Sequence, residues 1–220
     1  MKKKVLFIIG VLVLFAGCVS APKQNVTHVE NAIKNEIIVF RFGDDLYFAV
    51  QNGIKNYAFK VNTEDVTFAD KGNTMIILLD KNDVYEVSLA RLKDVPGLSK
   101  NDSDKVKLQK YYEWEKEFQE TNAGVTFLQE NFRSFEDSGT QYIAWDYKIN
   151  SNLYLNDETK IVETKGYTFV SGDYFVTIME CIDGGSNVKK KNEEYKTLYK
   201  RITIFDSEIN ENTVNQVLGK

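Results

Sequence analysis

Tyr85, Val87 and Leu89 alternate with Glu86, Ser88 and Ala90, and the same period of two recurs along most of the chain. Alternation sends successive side chains to opposite faces, which marks a strand; a helix repeats about every 3.6 residues. Turn residues break the rhythm at short spacing. Glu36–Phe42 runs into Gly43-Asp44-Asp45, and Leu46–Gln51 runs into Asn52-Gly53. Both residues of an Asn-Gly pair tolerate positive φ, so this dipeptide predicts a hairpin with Ile54–Val61 as the returning strand. Met75–Leu79 follows a turn at Asp70–Asn73, and Val84–Lys93 follows Lys81-Asn82-Asp83. Such spacing predicts an antiparallel meander.

The second half continues in the same way, with strands expected at Val125–Phe135 and Gln141–Ile149. In the latter, Ile143, Trp145, Tyr147 and Ile149 share one face. Lys160–Val170 and Tyr174–Ile182 form a predicted hairpin around Ser171-Gly172-Asp173, followed by a loop at Asp183–Asn187. Cys181 shares a face with Phe175 and Met179 in a segment that is apolar on both sides, so a buried thiol is expected.

Two stretches read as helices. Asp102 or Ser103 can cap Lys105–Thr121, which contains no Gly or Pro. Leu108, Tyr111, Trp114 or Glu115, and Phe118 fall near helical spacing, and Asn122-Ala-Gly124 supplies a stop. Asn192 to about Phe205 is the second, with Tyr195, Leu198 or Tyr199, Ile202 and Phe205 as its stripe. The polar tail after Asp206 either extends that helix or frays. The expected class is α+β: a large, mostly antiparallel sheet with two amphipathic helices packed on it. Two small α+β halves sharing a sheet are also compatible; one sheet with both helices on one face is simpler.

The opening stretch differs in kind. Lys2, Lys3 and Lys4 precede an apolar run from Val5 to Ala16, which Gly17 and Cys18 end. Crossing a bilayer takes roughly 20 apolar residues, and this run is shorter. A positive head, a short apolar core and small residues before a cut match a secretory signal. Phe15-Ala16-Gly17-Cys18 resembles the lipobox of bacterial lipoproteins, with Phe15 where that family usually has Leu. The resemblance implies cleavage before Cys18 and acylation of Cys18, giving an exported protein anchored to a bacterial membrane. Two or more acyl chains hold a protein stably where one does not. The expected organisation is residues 1–17 as signal, 18–35 as lipidated tether and 36–220 as a single domain.

Without residues 1–17, 203 residues remain, with 25 basic against 32 acidic side chains and a net charge of −7. That balance argues against nucleic acid, which rewards a basic patch. With Cys18 acylated, Cys181 has no partner for an intrachain disulfide.

Tyr142-Ile-Ala-Trp-Asp-Tyr147, the run Tyr167–Ile178 and the segment Glu193–Phe205 give the order strand, hairpin, strand and closing helix. This pattern, over roughly residues 104–206, resembles the Mog1/PsbP-like group of α+β folds. The group is functionally diverse, so the resemblance implies a fold and little more.

Catalytic vocabulary is thin. The lone histidine, His28, falls in the tether, away from any scaffold that could hold it for general-base or zinc chemistry. No phosphate-binding glycine loop is present; Gly184-Gly185 lacks the third glycine. Asp80 and Asn82 begin like a calcium loop, which then lacks its glycine and distant Glu. Asp44-Asp45, Asp102, Asp104 and Glu193-Glu194 have structural explanations at turns and helix starts. No catalytic, cofactor-binding or metal-ligating residue is assigned and no cofactor is expected. Among Tyr111, Tyr112, Trp114, Tyr142, Trp145 and Tyr147, the residues off the main stripes, Tyr112 and Tyr142, are expected to be the exposed ones. The leading expectation is a non-catalytic binding or structural role at the envelope, with an envelope protein or glycan as partner. The alternative is a carboxylate-based hydrolase of envelope glycans, which a cleft holding two buried acids would favour.

Overall fold

In a computed structural model the described residues are 36–51, 54–62, 67–70, 75–80, 83–122, 125–150, 161–183 and 195–219. Residues 1–17, Cys18, the tether 18–35 with His28, and the turn residues Asn52-Gly53, 71–73, Lys81 and Asn82 lie outside them. So do Ala123-Gly124, Lys160, and residues 184–194 with Gly184-Gly185 and Glu193-Glu194.

In chain order the strands are β1 (Glu36–Phe42), β2 (Asp45–Gln51), β3 (Asn56–Val61), β4 (Thr67–Asp70), β5 (Met75–Asp80) and β6 (Asp83–Arg91). After the helix α1 (Asp104–Asn122) come β7 (Thr126–Asp137), β8 (Thr140–Asn150), β9 (Ile161–Ser171), β10 (Tyr174–Asp183) and β11 (Ile202–Phe205), then the helix α2 (Glu211–Leu218). Neighbouring strands are antiparallel throughout and form two sheets. The larger runs β4-β5-β6-β10-β9-β8-β7 and the smaller β1-β2-β3-β11. The class is α+β with a large antiparallel sheet, as the alternation indicates, but the strands divide into two sheets where one was expected, and the helices lie on different sheets, not on one face of a single sheet. Gly43 and Gly172 sit at hairpin tips with φ of 59° and 61°, where a Cβ would be strained.

The sheets pack face to face. Phe48, Val50 and Phe59 of the small sheet meet Tyr85, Val87, Val176 and Ile178 of the large one. α1 covers the far face of the large sheet through Leu108, Tyr111 and Tyr112. α2 covers the far face of the small sheet, with Val214 beside Tyr47, Ala49, Ala58 and Phe205. The layers are therefore helix, sheet, sheet, helix.

The second helix is not where helical spacing placed it. Within the expected segment Asn192–Phe205, Leu198–Arg201 is one 3-10 turn and Ile202–Phe205 is β11. Ile202, Thr203 and Ile204 are β-branched, and β3 offers an unpaired edge, so Ile202 pairs with Phe59 and Phe205 with Asn56. The aromatic stripe was real as burial: Tyr195, Leu198 and Phe205 are buried. The helix forms later, in the tail. Asn210 caps it by accepting from the Asn212 and Thr213 amides, and the Thr213 hydroxyl accepts from the Asn210 amide in return. The closing helix expected over Glu193–Phe205 is therefore not formed there; among the described residues that stretch ends in β11.

Candidate functional site

Two places hold the features that could carry function. The first lies between β1 and α2. β1 is the outer strand of the small sheet, and its register with β2 is continuous from Glu36–Gln51 to Phe42–Asp45. Ile38, Phe40 and Phe42 face α2, and Phe40 stacks on Tyr47 with ring centroids 5.3 Å apart. The segment leading into α2 is tied to the sheet: the Ile209 amide donates to Gln51 Oε1 at 2.7 Å, and Asn56 Nδ2 donates to the Ser207 carbonyl at 2.8 Å. Between strand and helix a groove of about 360 Å³ remains, floored by Ile38, Phe40, Ile209 and Val214, with Arg41 and Glu211 at its rim. Val39, on the other face of β1, is 53% exposed.

The second place lies beneath α1. Across the large sheet Glu86 sits beside Met179, then Gly166, then Trp145. Gly166 lets the Trp145 ring lie flat on the sheet; a Cβ there would overlap the indole. Trp145 Nε1 donates to Thr168 Oγ1 at 3.4 Å, the Thr168 and Thr177 hydroxyls bond at 2.9 Å, and the Tyr111 hydroxyl joins Thr177 at 3.3 Å. Glu115 reaches this layer from α1 and accepts from Gln119 Nε2 at 3.0 Å. Glu86 is 2% and Glu115 9% exposed. Loss of hydration, and for Glu86 also the nearby Glu115, push their acid strengths down: Glu86 titrates at about 8 and Glu115 at about 7. Burial also raises the thiol of Cys181 and the phenol of Tyr111 well above their ordinary values, with Glu86 and then Glu180 adding to it at the thiol and Glu115 at the phenol. Glu86 Oε2 and Gln119 Oε1 are buried without a hydrogen-bond partner.

The expected residues fall as follows. Cys181 is a buried free thiol on one face with Phe175 and Met179, as its strand indicates. Tyr111, Trp145 and Tyr147 are core, and Trp114 and Tyr142 are half-buried. Tyr112 is buried at 8%, against the expectation of exposure: its ring packs 4.4 Å from Phe132. The helix stripe is Leu108, Tyr111, Tyr112, Glu115 and Gln119, leaving Phe118 half-buried at its margin. Ser103 Oγ accepts from the Val106 amide at the start of α1, while Asp102 accepts from Lys110 and the Ser99 amide. Asp45 pairs with Lys60 at 2.6 Å. Among the described residues no group of three or more potential ligands could hold a metal ion. Glu86 went unnoticed in the sequence because alternation separates two faces without showing what covers each; the face that carries Glu86 is covered by α1.

No family model matches the chain, and no curated protein matches it. Among solved structures, it is similar to the solution structure of cyanobacterial PsbP (CyanoP) from Synechocystis sp. PCC 6803. The identity is 11% over 84% of this chain and 100% of that one, at a TM-score of 0.46. It is also similar to a crystal structure from Bacteroides thetaiotaomicron VPI-5482, at 10% identity over 71% of this chain and a TM-score of 0.31. The chain spans 46% of that protein's length.

Proposed function

We infer that the protein is a lipid-anchored bacterial envelope lipoprotein, acylated at Cys18, with a non-catalytic binding role exercised through the β1–α2 groove. The observation that carries the binding role is the groove itself: an apolar floor of Ile38, Phe40, Ile209 and Val214 beside an outer strand. The anchor rests on the signal-like run and on Phe15-Ala16-Gly17-Cys18. Replacing Cys18 with Ala should release the protein from the membrane fraction or leave it unprocessed. An unmodified Cys18 in the mass spectrum of mature, membrane-bound protein would refute the anchor.

The second reading, a carboxylate-based glycan hydrolase, is favoured by the Glu86–Glu115 pair, whose proton affinities suit acid–base work near neutral pH. α1 lies over both carboxyls, and a substrate would have to displace it. A screen of the full chain against envelope glycans and peptides, scoring turnover and binding separately, decides between the readings. Saturable binding without turnover supports the binding role. Turnover abolished by Glu86→Gln or Glu115→Gln would replace it with the hydrolase.

A further inference from the structure

One stretch of this acidic chain is basic. Residues 91–110 hold six basic and three acidic side chains, in a chain of net charge −4. Each of the three acids is matched to one base: Asp94 to Arg91 at 2.7 Å, Asp102 to Lys110 at 2.9 Å and Asp104 to Lys107 at 3.1 Å. Lys93, Lys100 and Lys105 are left over, and among the described residues no carboxylate pairs with them.

Two of the three, Lys93 and Lys100, line one concavity of about 480 Å³. Arg91, Leu92 and Lys93 contribute from the end of β6 and the turn after it. Leu98 and Lys100 contribute from the loop before α1, and Asp173 and Tyr174 from the turn into β10. Hydrogen bonds hold these segments in place. The Leu92 amide donates to the Asp173 carbonyl at 2.9 Å, Lys110 Nζ to the Gly97 carbonyl at 2.6 Å, and the Ser99 amide to Asp102 Oδ2 at 3.0 Å. Leu92 is buried, Leu98 and Tyr174 are half-buried, and Lys93, Lys100 and Asp173 are exposed. An apolar lining with a few charged groups is the usual make-up of a small-molecule site, and such sites span about 300–1,000 Å³.

The lining restricts the ligand. Arg91 is already engaged by Asp94, so Lys93 and Lys100 carry the open positive charge. Two ammonium groups on flexible stems can close on one phosphate. Asp173 repels a second anion and accepts hydrogen bonds from neutral donors such as hydroxyls. The Tyr174 ring and the two leucines offer apolar surface to the C–H face of a sugar ring. A sugar phosphate meets all three demands. We propose that this pocket binds a sugar phosphate, with the phosphate at Lys93 and Lys100 and the sugar hydroxyls on Asp173. The site shares no residue with the β1–α2 groove and stands whether or not that groove binds anything. A free sugar monoester and a phosphodiester-linked glycan both present this chemistry.

The test is calorimetric titration of the full chain in neutral detergent micelles with four probes: glucose 6-phosphate, its methyl phosphodiester, glucose and inorganic phosphate. The expected result is saturable binding of a sugar phosphate, about tenfold or more tighter than glucose or phosphate alone. Preference for the monoester assigns the site to a free sugar phosphate, and preference for the diester to a glycan. Lys93→Ala and Lys100→Ala should each weaken that binding about tenfold and, at exposed positions, leave the thermal midpoint in place. Asp173→Ala should split the probes, weakening the sugar phosphate and tightening inorganic phosphate, because it removes a hydroxyl acceptor and a repelling charge together. Inorganic phosphate bound as tightly as the sugar phosphates would reduce the pocket to a general anion patch and overturn the proposal. Sugar-phosphate binding unchanged in both lysine variants would place the ligand elsewhere and overturn it too, as would no saturable binding of either sugar phosphate.

Discussion

Beneath α1, Glu86 and Glu115 hold the groups best suited to chemistry and are shut away from water; along β1, Val39 and its neighbours meet water and hold almost no chemistry. The contrast follows from how each sheet is covered. α1 is 19 residues long and lies across the large sheet toward β9, β8 and β7, so even its polar members, Glu115 and Gln119, are buried. α2 is eight residues long and covers the small sheet only as far as β1, leaving a groove at the margin. Perturbed ionisation at a covered site reflects the cost of burial, and an uncovered apolar margin is the feature that needs a use.

The largest expected effect lies under α1. Tyr111→Ala would remove a ring stacked 4.4 Å from Phe175 and a hydroxyl bonded to Thr177. It should cost about 3–5 kcal/mol in a denaturant titration. A cost near zero would mean that α1 is loosely held and the carboxyls are within reach of solvent.

Gly166→Ala comes next. The added methyl meets the Trp145 ring in the middle of the large sheet, and overpacking of this kind costs about 1–3 kcal/mol. Loss of Trp145 fluorescence character in the folded variant would locate the disturbance. An unchanged spectrum and unchanged stability would mean that the ring does not lie on the glycine.

How much of this contrast could be read from the sequence depends on the scale. Alternation fixed the strands: β2 with β3 and β9 with β10 pair as the turns require. The run around Cys181, apolar on both faces, signalled that β10 is central and covered on both sides. That signal applied to its neighbour β6 as well, where alternation set Glu86 on the face opposite Tyr85 and Val87 without saying what covers that face; a polar residue opposite Met179 in a doubly covered sheet has no outer face to occupy. β11 and α2 were missed for a different reason. Tyr195, Leu198, Ile202 and Phe205 fit a helical period by coincidence, and the pairing of Ile202–Phe205 with β3 is a tertiary contact that no local pattern contains. Asn210 and Thr213 followed by Val214, Val217 and Leu218 did carry a local signal, a cap before an apolar stripe. The groove needed the fold: its walls, Ile38–Phe42 and Ile209–Asn215, are nearly the whole chain apart.

A third prediction concerns protons. An ordinary glutamate titrates near 4.5, whereas Glu86 and Glu115 in the folded protein titrate at about 8 and about 7. Between those values the folded state keeps protons that the unfolded chain has released. Stability contributed by these groups is therefore complete below about pH 4.5 and is lost as the pH rises to about 8. Glu86→Gln removes the ionisation, so it should stabilise the protein by about 1–3 kcal/mol at pH 8.5 and change little at pH 4. Equal effects at both pH values would show that Glu86 does not titrate in this window.

The smallest effect is expected at the open edge. Val39→Lys changes a half-exposed position on the outer strand and should move stability by no more than about 0.5 kcal/mol. A loss of several kcal/mol would show that the edge is covered.

Hydrogen exchange of the full chain in detergent micelles at neutral pH, resolved along the sequence, tests the contrast between the sealed face and the open edge most directly. The account predicts that amides of β6 around Glu86 and of residues 108–119 exchange only through global unfolding, while those on the outer side of β1 exchange orders of magnitude faster. Exchange of α1 that matches or outpaces β1 would contradict it, because the carboxyl pair would then be the accessible site and the edge the protected one.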